Sequence, residues 1–354
     1  MRFPNKVLPL VVASAVVVFG PSQPGAVQPG DEKHNMKLVG FDDLQARSAY
    51  QPVIHHQGNK WIAYVGRHGG SALNPKTNAV EQNGTSIVDV TDPKRPVYLK
   101  HIPGPSGEGE AGGAQMVRTC SGAELPRANR GKHYMLRATA NSHEVYDVTN
   151  PANPSLVKTV VGNLGDTHKS FWECRTGIAY LVSDGTSLAT AVPSFPAWRS
   201  NRITQIFDLS DPANPVFIRN YGLVGQEPGS TGPVPTGVHG MISAIDLGRD
   251  RVYFGHGTGS NGIMQIVDRT KLLGGGGCTF NPTNPTPAQL LCAQVGRLDT
   301  SPSMGAHTTF PLLNQPVPEF AANTSGSVRD FVVLVNEAGG GSGAGVCTGN
   351  RQLT

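Results

Sequence analysis

Short runs of alternating apolar and polar residues recur along the chain, separated by turns rich in Asp, Asn and Pro. Three stretches are nearly the same: SIVDVTDPKRPVYLKHI at 86–102, EVYDVTNPANPSLVKTV at 144–160 and QIFDLSDPANPVFIRNY at 205–221. Alternation with a period of two predicts a strand, and a short polar turn between two such runs predicts an antiparallel pair. Asp or Asn before Pro hydrogen-bonds its own downstream backbone, while Pro fixes φ. Each copy therefore predicts two consecutive strands joined by a rigid corner.

The copies are evenly spaced along the chain. The first Asp of each corner is Asp89, Asp147, Asp208 and, in a degenerate fourth copy, Asp268, so successive separations are 58, 61 and 60 residues. Self-similarity at a fixed period indicates a repeat architecture, in which each repeat is one supersecondary unit.

Two further strand-like segments complete each unit. Apolar runs follow turns at 59–69, 131–140, 176–185, 249–259 and 328–339, and shorter segments precede them at 48–56, 113–120, 165–173, 236–244 and 305–313. Four antiparallel strands in series are typical of a propeller blade. The pattern predicts an all-β fold, a β-propeller with four-stranded antiparallel blades of about 60 residues.

The IVDVTDPxxP stretches resemble the LVIVD-repeat family of bacterial secreted β-propeller proteins. The resemblance runs from about residue 36 to the last residue. It implies a seven-bladed propeller whose members continue past this endpoint, so that 36–354 forms a single domain of five to six blades, incomplete at its C-terminal end. The alternative is a shorter propeller that is open or closed by dimerisation. The family implies no specific molecular function.

Composition supports many short strands and little helix. The chain of 354 residues contains 44 Gly and 28 Pro, which favour turns and are depleted from helix interiors. A brief exception is TPAQLLC at 286–292, which resembles one amphipathic turn of helix.

The N-terminus reads as an export signal. Arg2 and Lys6 precede an apolar run at 7–19, which is short for a membrane span and leads into a Pro- and Gly-rich stretch. We interpret 1–30 as signal peptide and linker; an uncleaved anchor is the alternative. The interpretation predicts a secreted, periplasmic or cell-surface protein with no transmembrane span after cleavage. Its formal charge falls from +4 to +2 when Arg2 and Lys6 are removed, and no basic run indicates nucleic-acid binding.

Five cysteines are expected to pair in an exported protein rather than act as nucleophiles. Cys278 and Cys292 bracket a Pro- and Asn-rich loop and form the first candidate disulfide. Cys120 with Cys174 is the second, and Cys347 is left over.

The candidate chemistry lies on the segments expected to form the innermost strand of each blade. At one register near their starts stand two glutamines and three histidines: Gln51, Gln115, His168, His239 and His307. Propeller geometry would bring these positions together as a ring at one mouth of the central channel. Neutral imidazoles suit transition metals, so His168, His239 and His307 are candidate metal ligands. The alternative is structural, with each histidine hydrogen-bonded to the backbone of the neighbouring blade.

The segment GDTHKSFWECRTG at 165–177 concentrates polar side chains around one of these histidines. Asp166 is expected either to orient His168 or to cap the turn after Gly165. On a regular strand His168 and Trp172 would share one face and Lys169 the other. Trp172 is expected to pack between blades.

Two functions remain open at this stage. The first is a binding or scaffold module whose partner, a small molecule or a protein, docks at the channel mouth. The second is a metal-dependent oxidoreductase using Cu, Zn or Fe, an arrangement that distantly resembles the selenium-binding, methanethiol-oxidase-like propellers. Lactone hydrolysis ranks last because it requires carboxylate ligands in the channel. The Gly-x-Ser-x-Gly, His-Glu-x-x-His and Cys-x-x-Cys motifs are absent, so whether the protein is an enzyme stays open.

Overall fold

The computed structural model describes residues 36–317 and 327–337. The predicted signal segment at 1–30 and Cys347 lie outside the described residues. Within them, no helix has the length and apolar character needed to cross a bilayer.

The strands follow the repeat units in chain order. The first unit contains β1 (Tyr50–Gln57), β2 (Lys60–His68), a hairpin of β3 (Ser71–Asn74) and β4 (Ala79–Gln82), then β5 (Gly84–Asp89) and β6 (Val97–Pro103). The second contains β7 (Gly113–Ala114), β8 (Met116–Ser121), β9 (His133–Ala138), β10 (His143–Asp147) and β11 (Ser155–Val161).

The third unit contains β12 (Thr167–Trp172), β13 (Ile178–Ser183), β14 (Ile203–Asp208) and β15 (Val216–Tyr221). The fourth contains β16 (Val238–Ser243), β17 (Arg251–His256), β18 (Ile263–Asp268) and β19 (Gln294–Asp299), and the fifth β20 (Thr308–Pro316) and β21 (Val328–Val335). Short helices are α1 (Leu188–Ala191), α2 (Arg269–Leu272) and α3 (Pro287–Leu291), with 3₁₀ turns at Leu44–Ala46, Gly109–Ala111 and Ile245–Leu247.

Each unit forms its own antiparallel sheet. The strand orders are β1-β2-β5-β6, β8-β9-β10-β11, β12-β13-β14-β15 and β16-β17-β18-β19, followed by the β20-β21 pair. The first strands stand next to one another in sequence order: β8 contacts β1 and β12, and β16 contacts β12 and β20. The chain is therefore an all-β propeller, and its first strands line the channel.

The repeated corners form by the predicted mechanism. In three copies the side chain directly before proline accepts the backbone N–H two residues on: Asp92 from Lys94 (3.1 Å), Asn150 from Ala152 (3.2 Å) and Asp211 from Ala213 (3.1 Å). The degenerate fourth copy lacks the proline, and Asp268 instead caps α2 by accepting Lys271 N–H at 3.0 Å.

The core lies between neighbouring sheets. Nearly every residue of the middle strands β9, β13 and β17 is buried, including Leu136, Tyr180 and Phe254, and Trp172 packs into the same cluster. Disulfides join Cys278 to Cys292 within the fourth unit, and Cys120 to Cys174 across the second and third units. The second bond ties two neighbouring blades together.

Acid is expected to destabilise the fold through its buried neutral histidines. His143 of β10 is fully buried and donates from Nε2 to the carbonyl of Val182 on β13 at 2.9 Å. Burial lowers its pKa from 6.5 to about 4. Between those two pH values the unfolded chain binds one more proton at this residue than the folded chain does. The contribution of His143 to the free energy of unfolding is therefore fully present above pH 6.5 and decreases as the pH falls, by up to about 1.4 kcal/mol per pH unit.

The variant His143→Gln keeps an N–H donor but cannot take up a proton. Urea unfolding between pH 7.5 and 4.5 should show the variant losing less stability over this range than the wild-type protein. An identical pH dependence of the two proteins would contradict this assignment.

Candidate metal and ligand site at the channel mouth

The structure brings the three predicted histidines into contact. His168 and His239 are the second residues of β12 and β16, and His307 directly precedes β20. The Nε2 atoms of His168 and His239 lie 2.7 Å apart, and the ring centroids of His239 and His307 are separated by 3.9 Å. Three residues from three blades thus form one imidazole cluster, which we call the histidine cluster.

The two glutamines of the predicted ring do not join that cluster. Gln115 lies between β7 and β8, donates to the carbonyl of Glu110 at 3.2 Å, and has no partner for its Oε1 among the described residues. Gln51 of β1 faces the channel below the cluster. Its φ of 43° is left-handed, a conformation that a non-glycine residue adopts only at a cost in energy.

A β-bulge explains which side chains reach the channel. One extra residue is present between Thr167 and Ser170 of β12, and another between Val238 and Gly240 of β16. A bulge breaks the alternation of faces. His168 and Lys169 therefore both face the channel, and the expectation of opposite faces for these two residues is wrong.

Hydrogen bonds fix the orientation of His239 and His307. His239 Nδ1 lies 3.1 Å from the carbonyl oxygen of His307, which can only accept, so Nδ1 carries the proton and Nε2 keeps its lone pair. Lys169 Nζ is 3.2 Å from His307 Nε2 and donates to it, which leaves His307 Nδ1–H to donate to Thr308 Oγ1 at 2.8 Å. Such outer contacts are typical of metal-binding histidines.

A carboxylate completes a compact set of ligand atoms. Glu337 Oε2 lies 3.6 Å from His307 Nε2 and 3.9 Å from His239 Nε2, and one ligand atom from each of the three residues falls within 4.8 Å of the others. Imidazole nitrogen with carboxylate oxygen is a donor set for Zn, Cu or Fe.

Glu337 is not among the residues predicted from the sequence, although antiparallel pairing offers a signal for it. His307 N–H donates to the carbonyl of Val335 at 2.9 Å, so the end of β21 lies beside the start of β20. The residues that follow the second strand of a blade therefore face the same mouth as the first residues of that blade.

Burial keeps the histidine cluster neutral. Desolvation, with the nearby Lys169 charge, lowers the pKa of His239 to about 2 and that of His307 to about 4. Desolvation and the charge of Arg202 lower the pKa of His168 as well. All three imidazoles are unprotonated at neutral pH, which is the form that binds metal.

Charged side chains surround the cluster. Arg202 bridges the carboxylates of Asp166 and Glu110, each at 2.7 Å. Glu110 in turn lies 3.9 Å from His168 Nδ1, which has no hydrogen-bond partner among the described residues. Asp166 thus takes neither of its two expected roles; it holds Arg202 beside the mouth.

The comparisons with known proteins address the fold alone. The chain matches no family model and no curated protein. Similar solved structures include Sqt1 from Saccharomyces cerevisiae (9% identity, 78% of this chain and 67% of that chain, TM-score 0.39). Another is a hypothetical selenium-binding protein from Sulfolobus tokodaii (12% identity, 72% of this chain and 55% of that chain, TM-score 0.39). A third is the Cps50 (Swd1) β-propeller domain from Myceliophteria thermophila (10% identity, 87% of this chain and 71% of that chain, TM-score 0.38). None of these assigns a ligand or an activity to this chain.

Proposed function

We propose that this chain is an exported propeller of the LVIVD-repeat type that acts as a binding module and holds a transition-metal ion at the mouth of its channel. His239, His307 and Glu337 are the ligands. The supporting observation is their convergence within 4.8 Å, with His239 Nε2 left unprotonated because Nδ1 carries the proton. The repeats and the N-terminal segment support export, and a small molecule or a protein at the same mouth is the partner.

His168 is the fourth ligand in this proposal. Its Nε2 now shares a hydrogen bond with His239 Nε2 at 2.7 Å, and a metal ion takes the place of that shared proton. A site with imidazole nitrogens, a carboxylate and no thiolate favours Zn²⁺, Cu²⁺ or Fe²⁺ over Ca²⁺, which prefers ligands that are all oxygen.

Lys169 is the group that opposes a cation at this site. Its ammonium group competes for His307 Nε2 at 3.2 Å and repels a bound ion. Burial lowers the pKa of Lys169 to about 8, which reduces but does not abolish its charge at neutral pH.

The test is metal titration of protein purified without a histidine tag and stripped with a chelator. Wild-type protein should bind one equivalent of Zn²⁺ or Cu²⁺. His239→Ala should weaken binding by at least about 100-fold, since loss of an outer-shell contact alone costs 10- to 100-fold. Lys169→Met should strengthen it because the competing cation is gone.

His143→Gln is the matched control, because it alters a buried histidine that makes no contact with the cluster. It should bind metal like the wild-type protein. Absence of stoichiometric metal from the wild-type protein, or equal binding by His239→Ala, would refute the site.

A metal-dependent oxidoreductase is the second candidate. It is favoured by the position of the cluster, which adjoins an internal cavity through Lys169 and Thr308. A reversible one-electron reduction of copper-loaded protein, lost in His239→Ala, would support it over simple binding.

A further inference from the structure

The channel contains a partly open cavity beside the histidine cluster, which it adjoins through Lys169 and Thr308. Its volume is about 100 Å³, and its walls come from all five first strands. The polar lining is Gln51, Arg118, Lys169, Thr308 and Thr309. Met116, Met241 and Ile242 supply an apolar part of the wall. The space equals the share of liquid volume of roughly three water molecules.

The charges around this cavity are all of one sign. Arg118 and Lys169 both line it, and no carboxylate does. Within 36–317 and 327–337, neither residue is in an ion pair. Arg137, by contrast, pairs with Glu144 at 2.8 Å. The fully buried Arg67 has no ion pair among the described residues, but it donates to the carbonyl of Ser48 and the hydroxyl of Ser86.

Arg118 satisfies few of its donors. Its Nη1 donates to the carbonyl of Val117 at 3.1 Å, its Nε has no partner among the described residues, and the guanidinium carbon lies 5.8 Å from the Phe171 ring centroid. Burial lowers the pKa of Arg118 to about 10. A buried cation without a counter-charge destabilises a fold strongly.

A hydroxyl at the cavity wall is also unsatisfied. Thr309 is 1% exposed, and its Oγ1 makes no hydrogen bond with any described group. Lys169 Nζ contacts only His307 and Thr308 Oγ1, the latter at 3.4 Å. The cations at this space therefore have only neutral acceptors nearby, and no carboxylate lines it.

We propose that this cavity binds a small carboxylate anion of the size of acetate between Arg118 and Lys169. The guanidinium group offers the parallel donors that match a carboxylate, and Lys169 supplies a second charge. The threonine hydroxyls add hydrogen bonds. The Met116, Met241 and Ile242 wall receives the alkyl end, which favours a carboxylate over a wholly polar inorganic anion.

Gly240 shapes the same wall. A Cβ at this position would lie 2.9 Å from Lys169 Cδ, so the glycine leaves the room in which the lysine stem runs along the channel. The anion site and the metal site share Lys169, whereas Arg118 belongs to the anion site alone because it contacts none of the proposed metal ligands.

The experiment is calorimetric titration of chelator-treated, metal-free protein with sodium acetate at constant ionic strength. Wild-type protein should give a saturable response, and acetamide, which has the same shape without the charge, should give none. Arg118→Met and Lys169→Met should each weaken acetate binding at least about tenfold, the loss expected for a hydrogen bond to a charged group. Arg95→Met, which removes an exposed arginine paired with Asp92, should bind acetate as wild type does.

A second readout guards against misfolding. Without acetate, Arg118→Met should melt at or above the wild-type temperature, because the variant no longer buries an unpaired charge. No saturable response to acetate, an equal response to acetamide or to added chloride, or a lower melting temperature of Arg118→Met with unchanged acetate binding would each overturn the proposal. Lys169→Met also separates the two sites, since it strengthens metal binding and weakens acetate binding.

Discussion

Zn²⁺ at a thousand times its dissociation constant is expected to raise the free energy of unfolding by about 4.1 kcal/mol. The increment follows from mass action, because the ligands of the proposed site converge only in the folded propeller. His239 belongs to the fourth sheet, whereas His307 and Glu337 flank the two strands of the fifth. A bound ion therefore clamps the fifth sheet onto the fourth.

Urea unfolding with and without Zn²⁺ measures this increment. Hydrogen exchange of β20 and β21 should slow in the same samples, since these strands are held by the ion on one side. His239→Ala is the control and should show no increment in either measurement. Equal stabilisation of both proteins would place the metal elsewhere, for example on histidines of the unfolded chain.

Replacing Glu173 by alanine is expected to cost about 3–5 kcal/mol of stability. Glu173 directly follows β12 and is completely buried. Its carboxylate accepts from Arg269 of α2 at 2.6 Å, from Tyr180 at 2.9 Å and from Ser243 of β16 at 2.6 Å. The substitution leaves the guanidinium of Arg269 without its counter-charge at the boundary between the third and fourth sheets.

An exposed ion pair between the same two sheets provides the matched comparison. Arg175 and Asp246 approach to 2.6 Å with both side chains largely in solvent, so Arg175→Ala should cost no more than about 1 kcal/mol. The double variant Glu173→Ala, Arg269→Met should recover part of the loss by removing the stranded charge. Urea unfolding of the four proteins distinguishes these outcomes, and a Glu173→Ala cost as small as that of Arg175→Ala would contradict the role assigned to the buried pair.

The sequence was sufficient for the fold class because the fold is encoded locally. Each corner contains its own Asx–Pro signal, and its hydrogen bonds, such as that from Lys94 N–H to Asp92, join residues two positions apart. The even spacing of the corners then locates the first strands, which placed His168, His239 and His307 at one register. The all-β propeller prediction is confirmed; the total number of blades stays a prediction, as does export.

The remaining parts of the site depend on contacts between blades, which no local pattern reveals. Arg202 meets Glu110 across 92 residues, and Lys169 meets His307 across 138. Asp166 was expected to interact with residues next to it in sequence. The guanidinium group that it binds belongs instead to Arg202, which directly precedes β14 and lies 36 residues further along the chain. Charge placement of this kind follows from packing, so the pairing of Arg202 and the unpaired state of Arg118 could be read only from the structure.

The extra residues in β12 and β16 have a consequence for redesign of the channel. At each bulge the first of two consecutive residues, His168 or His239, places its imidazole at the channel mouth. The second residue, Lys169 or Gly240, lines the cavity inside the channel. Met241 and Ile242, which follow the bulge in β16, line the cavity as well. In these two blades the pair of residues at the bulge can therefore be exchanged together to alter the channel mouth while the outer strands of the blade are kept.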